Sequence, residues 1–254
     1  MPTIIACFKW VVDEAYIRRG SSGELDFSSV DYKISEYDRN AIEEAVRIKE
    51  TLGGSAIAVN VGVIAASKGV KDALSRGTDQ AYFAADDSFG NLDSSQTSSL
   101  LSEVIRTRID AYDLIICGEG SGDLYAQQVG PRLAEILGIP CVSFVQKISI
   151  EGGQLTAERK TEEGIEVVAA PLPAVVTVLP DINIPRIPGV KDTLTAGKKP
   201  VTTIKKDELP PVGEVLLKTV SLTASHLERN CERFGTEAAD ISRFAVMLKK
   251  FSSN

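Results

Sequence analysis

The chain has 254 residues, 43% of them apolar and 25% charged, and carries a net charge of −7. This is the make-up of a globular protein of about one to two domains, with enough apolar side chains for a full core. The acidic balance argues against nucleic acid or an anionic membrane as partner, since both are bound through basic patches.

The first segment, Thr3-Ile4-Ile5-Ala6-Cys7-Phe8, reads as a strand. It is short, is followed by Lys9 and Asp13, and lacks the basic leader and cleavage site of a signal peptide, so a cytoplasmic protein is expected. No stretch approaches the roughly 18 apolar residues of a membrane helix, and no membrane insertion is expected. A turn at Gly20-Ser21-Ser22-Gly23 precedes a helix from about Asp38, which can cap it, with Ala41, Ile42, Ala45, Val46 and Ile48 at helical spacing. A strand Ala56–Val61 ends at Gly62, a helix with Val70, Ala73 and Leu74 on one face follows, and Ala81–Ala84 forms a short strand. After a polar loop at Asp86-Asp87 come a helix over about 94–110, the apolar strand Leu114–Cys117 and a helix expected from Leu124 to Leu137, closed by Gly138. The alternation predicts an α/β fold: an open, mostly parallel sheet with helices on both faces.

The pattern then changes. Between 143 and 179 three turn signals, Gly152-Gly153, Gly164 and Pro171-Leu172-Pro173, separate short strands with no helix between them, which predicts an antiparallel extension. From Pro180 to Pro211 prolines and lysines accumulate and periodicity fades, so an extended surface segment is expected. The expected division is a nucleotide-binding α/β domain over 1–195, and a linker with a C-terminal arm over 196–254. In that arm Thr236 is a candidate cap, and Ile241, Phe244, Leu248 and Phe251 share a helical face opposite Asp240, Arg243 and Lys250. The stripe can pack on its own domain or on a partner subunit.

The most informative stretch runs from Asp113 to Pro131. An apolar strand enters a turn containing Gly118, Gly120 and Gly122 and then a new helix. In open α/β sheets ligands sit outside the carboxyl ends of the strands, where helix N-termini offer unpaired N–H donors to phosphate. Asp123 can cap the helix, and Gln127 and Gln128 can bond a ligand or the sheet edge. The plainer reading is an ordinary strand-to-helix turn, but three glycines in five residues exceed what such a turn needs.

Other chemistries find little support. The dinucleotide fingerprint fails, because its third glycine falls at Asp123. A nucleophile elbow fails because Glu119 stands where Gly is required before Ser121, and the one histidine, His226, is distant. Cys7, Cys117, Cys141 and Cys231 form no Cys-x-x-Cys pair, so no metal site is expected and the thiols read as small buried hydrophobes.

The order and spacing of three segments resemble the beta subunit of electron transfer flavoprotein. They are Lys33–Val46, Asp113–Pro131, and Ala174–Thr177 through Asn183-Ile184-Pro185-Arg186-Ile187-Pro188 to Lys199. The similarity spans roughly residues 3 to 205 and implies a Rossmann-like sheet with a nucleotide held by Cys7, Ser35, Glu36, Tyr37, Asp38, Val61 and the run Gly118, Glu119, Gly120, Ser121, Gly122, Asp123, Leu124, Tyr125, Ala126, Gln127, Gln128 and Val129. It further implies FAD shared with an alpha subunit in a heterodimer, AMP or a second FAD in this chain, and no catalytic acid, base or nucleophile. The expected electron partner is an acyl-CoA dehydrogenase or reductase, or a quinone reductase. Docking would use Ile187, Pro188, Gly189, Val190 and Lys191, with Val190 as the apolar anchor; a solvated loop is the plainer alternative for that segment.

Many relatives carry more acids after the glycine turn than Gly122-Asp123-Leu124-Tyr125 does here. The Gly-Ser-Gly-Asp-Leu-Tyr-Ala-Gln-Gln-Val-Gly run is similar to the branch linked to carnitine or acyl-CoA reduction. Two rival readings are a stand-alone enzyme like the ATP pyrophosphatases and a nucleotide-sensing module. The former would want a Ser-Gly-Gly-x-Asp-Ser loop after the first strand, where this chain has Lys9-Trp10-Val11-Val12-Asp13.

Overall fold

The computed structural model describes residues 1–20, 23–217, 219–224 and 231–251. His226 and the Ser21-Ser22 part of the first turn lie outside the described residues. In chain order the elements are β1 (Thr3–Cys7), β2 (Trp10–Val12), β3 (Arg18–Arg19), β4 (Leu25–Asp26), β5 (Tyr32–Ile34), α1 (Glu36–Leu52), β6 (Ser55–Gly62), α2 (Ser67–Ser75), β7 (Gln80–Ala85), α3 (Ser94–Arg108), β8 (Leu114–Gly118), α4 (Val129–Leu137), β9 (Cys141–Glu151), β10 (Gln154–Thr161), β11 (Gly164–Pro171), β12 (Ala174–Val178), α5 (Val190–Ala196), β13 (Val201–Lys205) and α6 (Ala238–Phe251). They fall into a large unit, Met1–Arg18 with Asp26–Ser221, and a small one, Arg19–Leu25 with Leu222–Asn254.

Among the described residues, nine strands of the large unit form one sheet in the order β11-β10-β9-β12-β8-β1-β6-β7-β13. From β9 to β13 every neighbouring pair is parallel. Strands β9, β10 and β11 form an antiparallel meander. The chain steps outward from β1 to β6 and β7, then resumes on the other side of β1 with β8 and β12, so the winding reverses between β1 and β8. In such doubly wound sheets the carboxyl ends at that reversal are where ligands collect.

Side chains on successive strand residues point to opposite faces. Ile4, Ala6, Leu114 and Ile116 therefore pack with α1 and α2, through Ala41, Ile42, Ala45, Val70, Ala73 and Leu74. Ile5, Cys7, Ile115 and Cys117 pack on the other face with Leu100, Val104 and Ile105 of α3 and Leu133 of α4. Burial on both faces explains why these strands read as continuous apolar runs rather than alternating ones. Local signals set the helix ends. Asp93 accepts the Gln96 N–H at 2.9 Å while the Gln96 side chain accepts the Asp93 N–H at 3.2 Å, a capping box that starts α3. Helix α4 stops at Gly138, whose φ of 71° is a left-handed cap that glycine adopts without strain.

Several sequence expectations are corrected. Ala174–Val178 is no part of the antiparallel extension: it is β12, entirely buried and parallel to both β8 and β9. The segment after Pro180 is not extended throughout. It contains α5 and the edge strand β13, which pairs in register with β7 from Val201↔Ala81 to Lys205↔Ala85. Lys199 fastens the approach to that strand by donating to the carbonyls of Leu74 and Thr78 at 2.8 and 2.6 Å, close to the end of α2. Helix α4 starts at Val129 rather than Leu124, so Asp123 does not cap it. Cys7 and Cys117 are buried as expected, but Cys141 and Cys231 are exposed.

In the small unit, α6 begins at Ala238, beyond Thr236, and the Gly235 N–H donates to Asp240 at 2.9 Å. Phe244 packs on Phe234 with ring centres 5.3 Å apart, and the Arg243 guanidinium lies 5.0 Å over the Phe234 ring. Ile241, Phe244 and Phe251 remain exposed. Among the described residues no helix is long and apolar enough to cross a membrane.

Candidate functional site

The site begins where the first turn of α1 meets the carboxyl ends of β1 and β8. Ser35, the residue before α1, donates its N–H to the Lys9 carbonyl at 3.0 Å, and its Oγ accepts the Gly122 N–H at 3.2 Å. One turn later Asp38 accepts from both strand exits, Oδ2 from the Lys9 N–H at 2.8 Å and Oδ1 from the Gly118 N–H at 3.0 Å. Asp38 is thus no end cap of α1, as its place in the first turn suggested; it staples two strands. Burial pushes its carboxyl up to about 7 against the pull of those two N–H groups and the Lys9 charge.

Glycine at 118 is a requirement of this approach. A Cβ there would stand 2.6 Å from Tyr37 Cβ and 2.8 Å from the Tyr37 carbonyl carbon, closer than real side chains come. Beyond it, Glu119 donates its N–H to the Val178 carbonyl at 3.1 Å, which ties the loop to β12 as well. Tyr125 folds back: its N–H donates to the Ser121 carbonyl at 2.9 Å, its hydroxyl donates to Glu119 Oε1 at 2.8 Å, and its ring meets Tyr37 with centres 5.2 Å apart. The ring lies over Gly120, whose missing Cβ would stand 2.6 Å from it. Burial raises the Glu119 carboxyl despite the Tyr125 hydroxyl. Burial and the Glu119 bond together push the Tyr125 phenol up to about 12.

Asp123 pairs with Lys9 at 2.6 Å; burial pushes its carboxyl up, and the Lys9 charge and hydrogen bond outweigh that, leaving it below the usual carboxylate range. Gln128 accepts from Ser94 Oγ at 3.2 Å and from Arg132 Nε at 3.0 Å, so its side chain joins α3 to α4. Gly130 lets α4 close on β12, since a Cβ would meet Thr177 Cγ2 at 2.4 Å.

Tyr125 and Gln127 both adopt left-handed backbone, with φ of 46° and 57°. Two non-glycine residues held there within three positions store strain of the kind that clusters at ligand sites. From Gly122 to Gln127 the loop is exposed, and a Cβ on Gly122 would meet nothing within 4 Å. Among the described residues, no protein acceptor takes the N–H of Gly120, Ser121, Asp123, Ala126 or Gln127. N–H groups without a protein acceptor, the open space at Gly122 and the nearby start of α4 suit an anionic, phosphate-bearing ligand.

The residues expected to hold the ligand divide into two sets. Ser35 and Asp38 are buried, and their side chains bond the protein's own backbone; Cys7 is buried against Cys117, whose thiol is pushed up by that contact and by burial. Glu36, Tyr37, Val61 and residues 120–129 are exposed or half-buried. The Lys9–Asp123 and Glu119–Tyr125 pairs carried no sequence signal beyond opposite charge or bonding capacity at distant positions.

The second expected region, 187–191, follows a strap fixed along α1. Asn40 Nδ2 donates to the Asn183 carbonyl at 2.9 Å, and Asn183 Nδ2 donates to the Asn40 carbonyl at 3.0 Å and to Glu44 at 2.9 Å. Arg186 forks across two carboxylates, Glu43 at 2.8 Å and Glu50 at 2.8 Å, and is raised by both bonds. Held this way, Ile184 and Ile187 are each 92% exposed and Val190, the first residue of α5, is 81% exposed. Asn183 and Arg186 lay within the segment singled out in the sequence, but their partners on α1 were not legible from it.

Doubly wound sheet, glycine loop at the winding reversal and displayed strap together define a Rossmann-like α/β protein. Residues 23–209 match the model of the electron transfer flavoprotein domain, and the chain belongs to the electron transfer flavoprotein family, whose members act as electron carriers.

Proposed function

We propose that this chain is the beta subunit of a heterodimeric electron transfer flavoprotein, cytoplasmic, sharing FAD with an alpha subunit and binding AMP or a second FAD along 118–129. The observation that carries this reading is the strained, outward-facing loop at the end of β8, with free N–H donors beside the start of α4. FAD would supply the redox chemistry, and the protein's part is binding, orientation and electrostatics. The backbone N–H groups of Gly120, Ser121, Asp123, Ala126 and Gln127 would take the phosphate oxygens. Tyr37 and Tyr125 offer an aromatic wall to a planar base, while Ser35 and Asp38 hold the loop from behind. No side chain here has to act as an acid, base or nucleophile.

Docking to an acyl-CoA dehydrogenase or reductase, or to a quinone reductase, is assigned to 187–191, with Val190 entering an apolar pocket and Lys191 beside it. The branch linked to carnitine or acyl-CoA reduction is the sub-assignment, resting on the Gly120–Gly130 run. The test is co-expression with the alpha subunit followed by affinity purification on this chain. A complex with flavin absorbance is expected, and purification of this chain alone, colourless, would overturn the reading.

A further inference from the structure

Among the described residues, Asp38 is the one whose side chain accepts from both strand exits, and its role differs from ligand contact. It is 7% exposed, and its two oxygens are spent on the N–H groups of Lys9 and Gly118. Those two N–H groups come from the strands between which the winding reverses. Where Gly118 stands decides where the loop begins, since Glu119 is bonded to β12 directly after it and Gly122 to Ser35 three residues further on. We propose that Asp38 is the positioning residue of the nucleotide site: as a carboxylate it ties the end of β1 to the end of β8 and so sets the placement of the phosphate-facing loop. This rests on the nucleotide reading above.

Two N–H donors facing two oxygens are matched best by the ionised carboxyl, which accepts at both. Protonation of Asp38 makes one of those oxygens an O–H donor and a much poorer acceptor, and asparagine puts an NH2 donor there, so the bond to one strand end is weakened or lost. The charged and titratable groups facing Asp38 are Lys9 from the exit of β1, Asp123 from the loop, and Cys117 from β8. Lys9 is itself paired with Asp123, and the Asp123 charge raises Asp38 while the Lys9 charge lowers it. Burial puts the proton equilibrium of Asp38 within the ordinary working range, and the staple is therefore made and unmade around neutrality.

The experiment compares wild type with Asp38→Asn, using the full chain freed of carried-over nucleotide. The probe is AMP, the moiety common to both nucleotides proposed for the site, titrated calorimetrically from pH 5.5 to 8.5. The AMP phosphate titrates identically against both proteins, so the ratio of the two dissociation constants isolates Asp38. The variant is expected to bind about tenfold more weakly at pH 8.5, the loss of one charge-assisted bond, and to converge on wild type at pH 5.5. A ratio that stays constant across the range overturns the inference. Should Asp38→Asn fail to fold, the wild-type amide resonances of Lys9 and Gly118 serve instead. They are expected to titrate together with one midpoint near 7, and separate or absent titrations overturn the staple. Wild type that binds no AMP at any pH, while those amides still titrate together, defeats the nucleotide reading and leaves the staple as a purely structural link.

Discussion

The centre and the edge of the same sheet behave as two materials. Every residue of β8 and β12 is buried, whereas β11, five strands away from β1, is mostly exposed and shows Ile165 and Val167 to solvent. The centre is parallel and sandwiched between helix layers, so its register is set by side chains on both faces; the meander is antiparallel, and only one of its faces is covered. Placement of the candidate site draws on the first material. The loop after β8 is anchored to β12, to α1 and to Lys9 within a few residues, and nothing in it is anchored to the meander.

The contrast can be broken at its strongest point first. Ile116→Ala removes a fully buried side chain between α1 and the sheet and is expected to cost about 4 kcal/mol in urea unfolding. Gly118→Ala is expected to cost about 2–3 kcal/mol, because the added Cβ would stand 2.8 Å from the Tyr37 carbonyl carbon and 2.7 Å from Asp38 Oδ1. It should also abolish AMP binding, since the loop has to move. A Gly118→Ala protein as stable as wild type would show that the close approach of α1 does not exist in solution.

Next comes pH. The folded-state carboxyl of Asp38 is raised above its ordinary value of 3.8 to about 7, so the native state binds the proton more tightly than the unfolded chain. Stability from this group is accordingly fullest below about pH 4 and is lost as pH rises toward 7, a fall on the order of 4 kcal/mol at about 1.4 kcal/mol per pH unit. Glu44 and Glu119, also raised by burial, act in the same direction. Urea midpoints measured from pH 4.5 to 8 should decline for wild type and decline less for Asp38→Asn; parallel curves would place the titration elsewhere.

Smaller effects concern the strap and the edge. Arg186→Gln takes the guanidinium from the buried Glu43 carboxylate, which keeps only the backbone N–H of residue 186, and is expected to cost about 1–2 kcal/mol, below the range for fully buried pairs because Arg186 is partly exposed. Faster hydrogen exchange should be confined to 183–188. Ile165→Ala on β11 should change stability by no more than about 0.5 kcal/mol. A larger loss there would mean that the meander's outer face is covered in the isolated chain.

Legibility from sequence follows the same division. Strands of the parallel centre declared themselves as apolar runs, because burial on both faces leaves one chemical solution, and the glycines at 118, 120 and 122 marked the turn after β8. What failed was the assignment of short segments by neighbourhood. Ala174–Val178 follows a run of hairpin turns and was grouped with them, yet tertiary pairing carries it back beside β8. The stretch 190–205 lost its signal among prolines and lysines, although seven residues suffice for α5 and five for an edge strand. Helix α4 begins late because Tyr125 folds back onto Glu119 and takes left-handed backbone, as does Gln127. Asp38 was visible as a polar residue at a helix start; that it bonds two strands rather than its own helix depends on contacts 29 and 80 positions away.

The central claim is that this chain holds an adenine nucleotide at the end of β8 as the beta subunit of a flavin-bearing pair. The most direct measurement is acid release and chromatographic quantification of small molecules from the co-purified complex. One FAD with one AMP, or two FAD, per heterodimer is the expected result. A stable complex that releases a single FAD and no second nucleotide would contradict the site, and a chain with no flavin-bearing partner would contradict the claim as a whole.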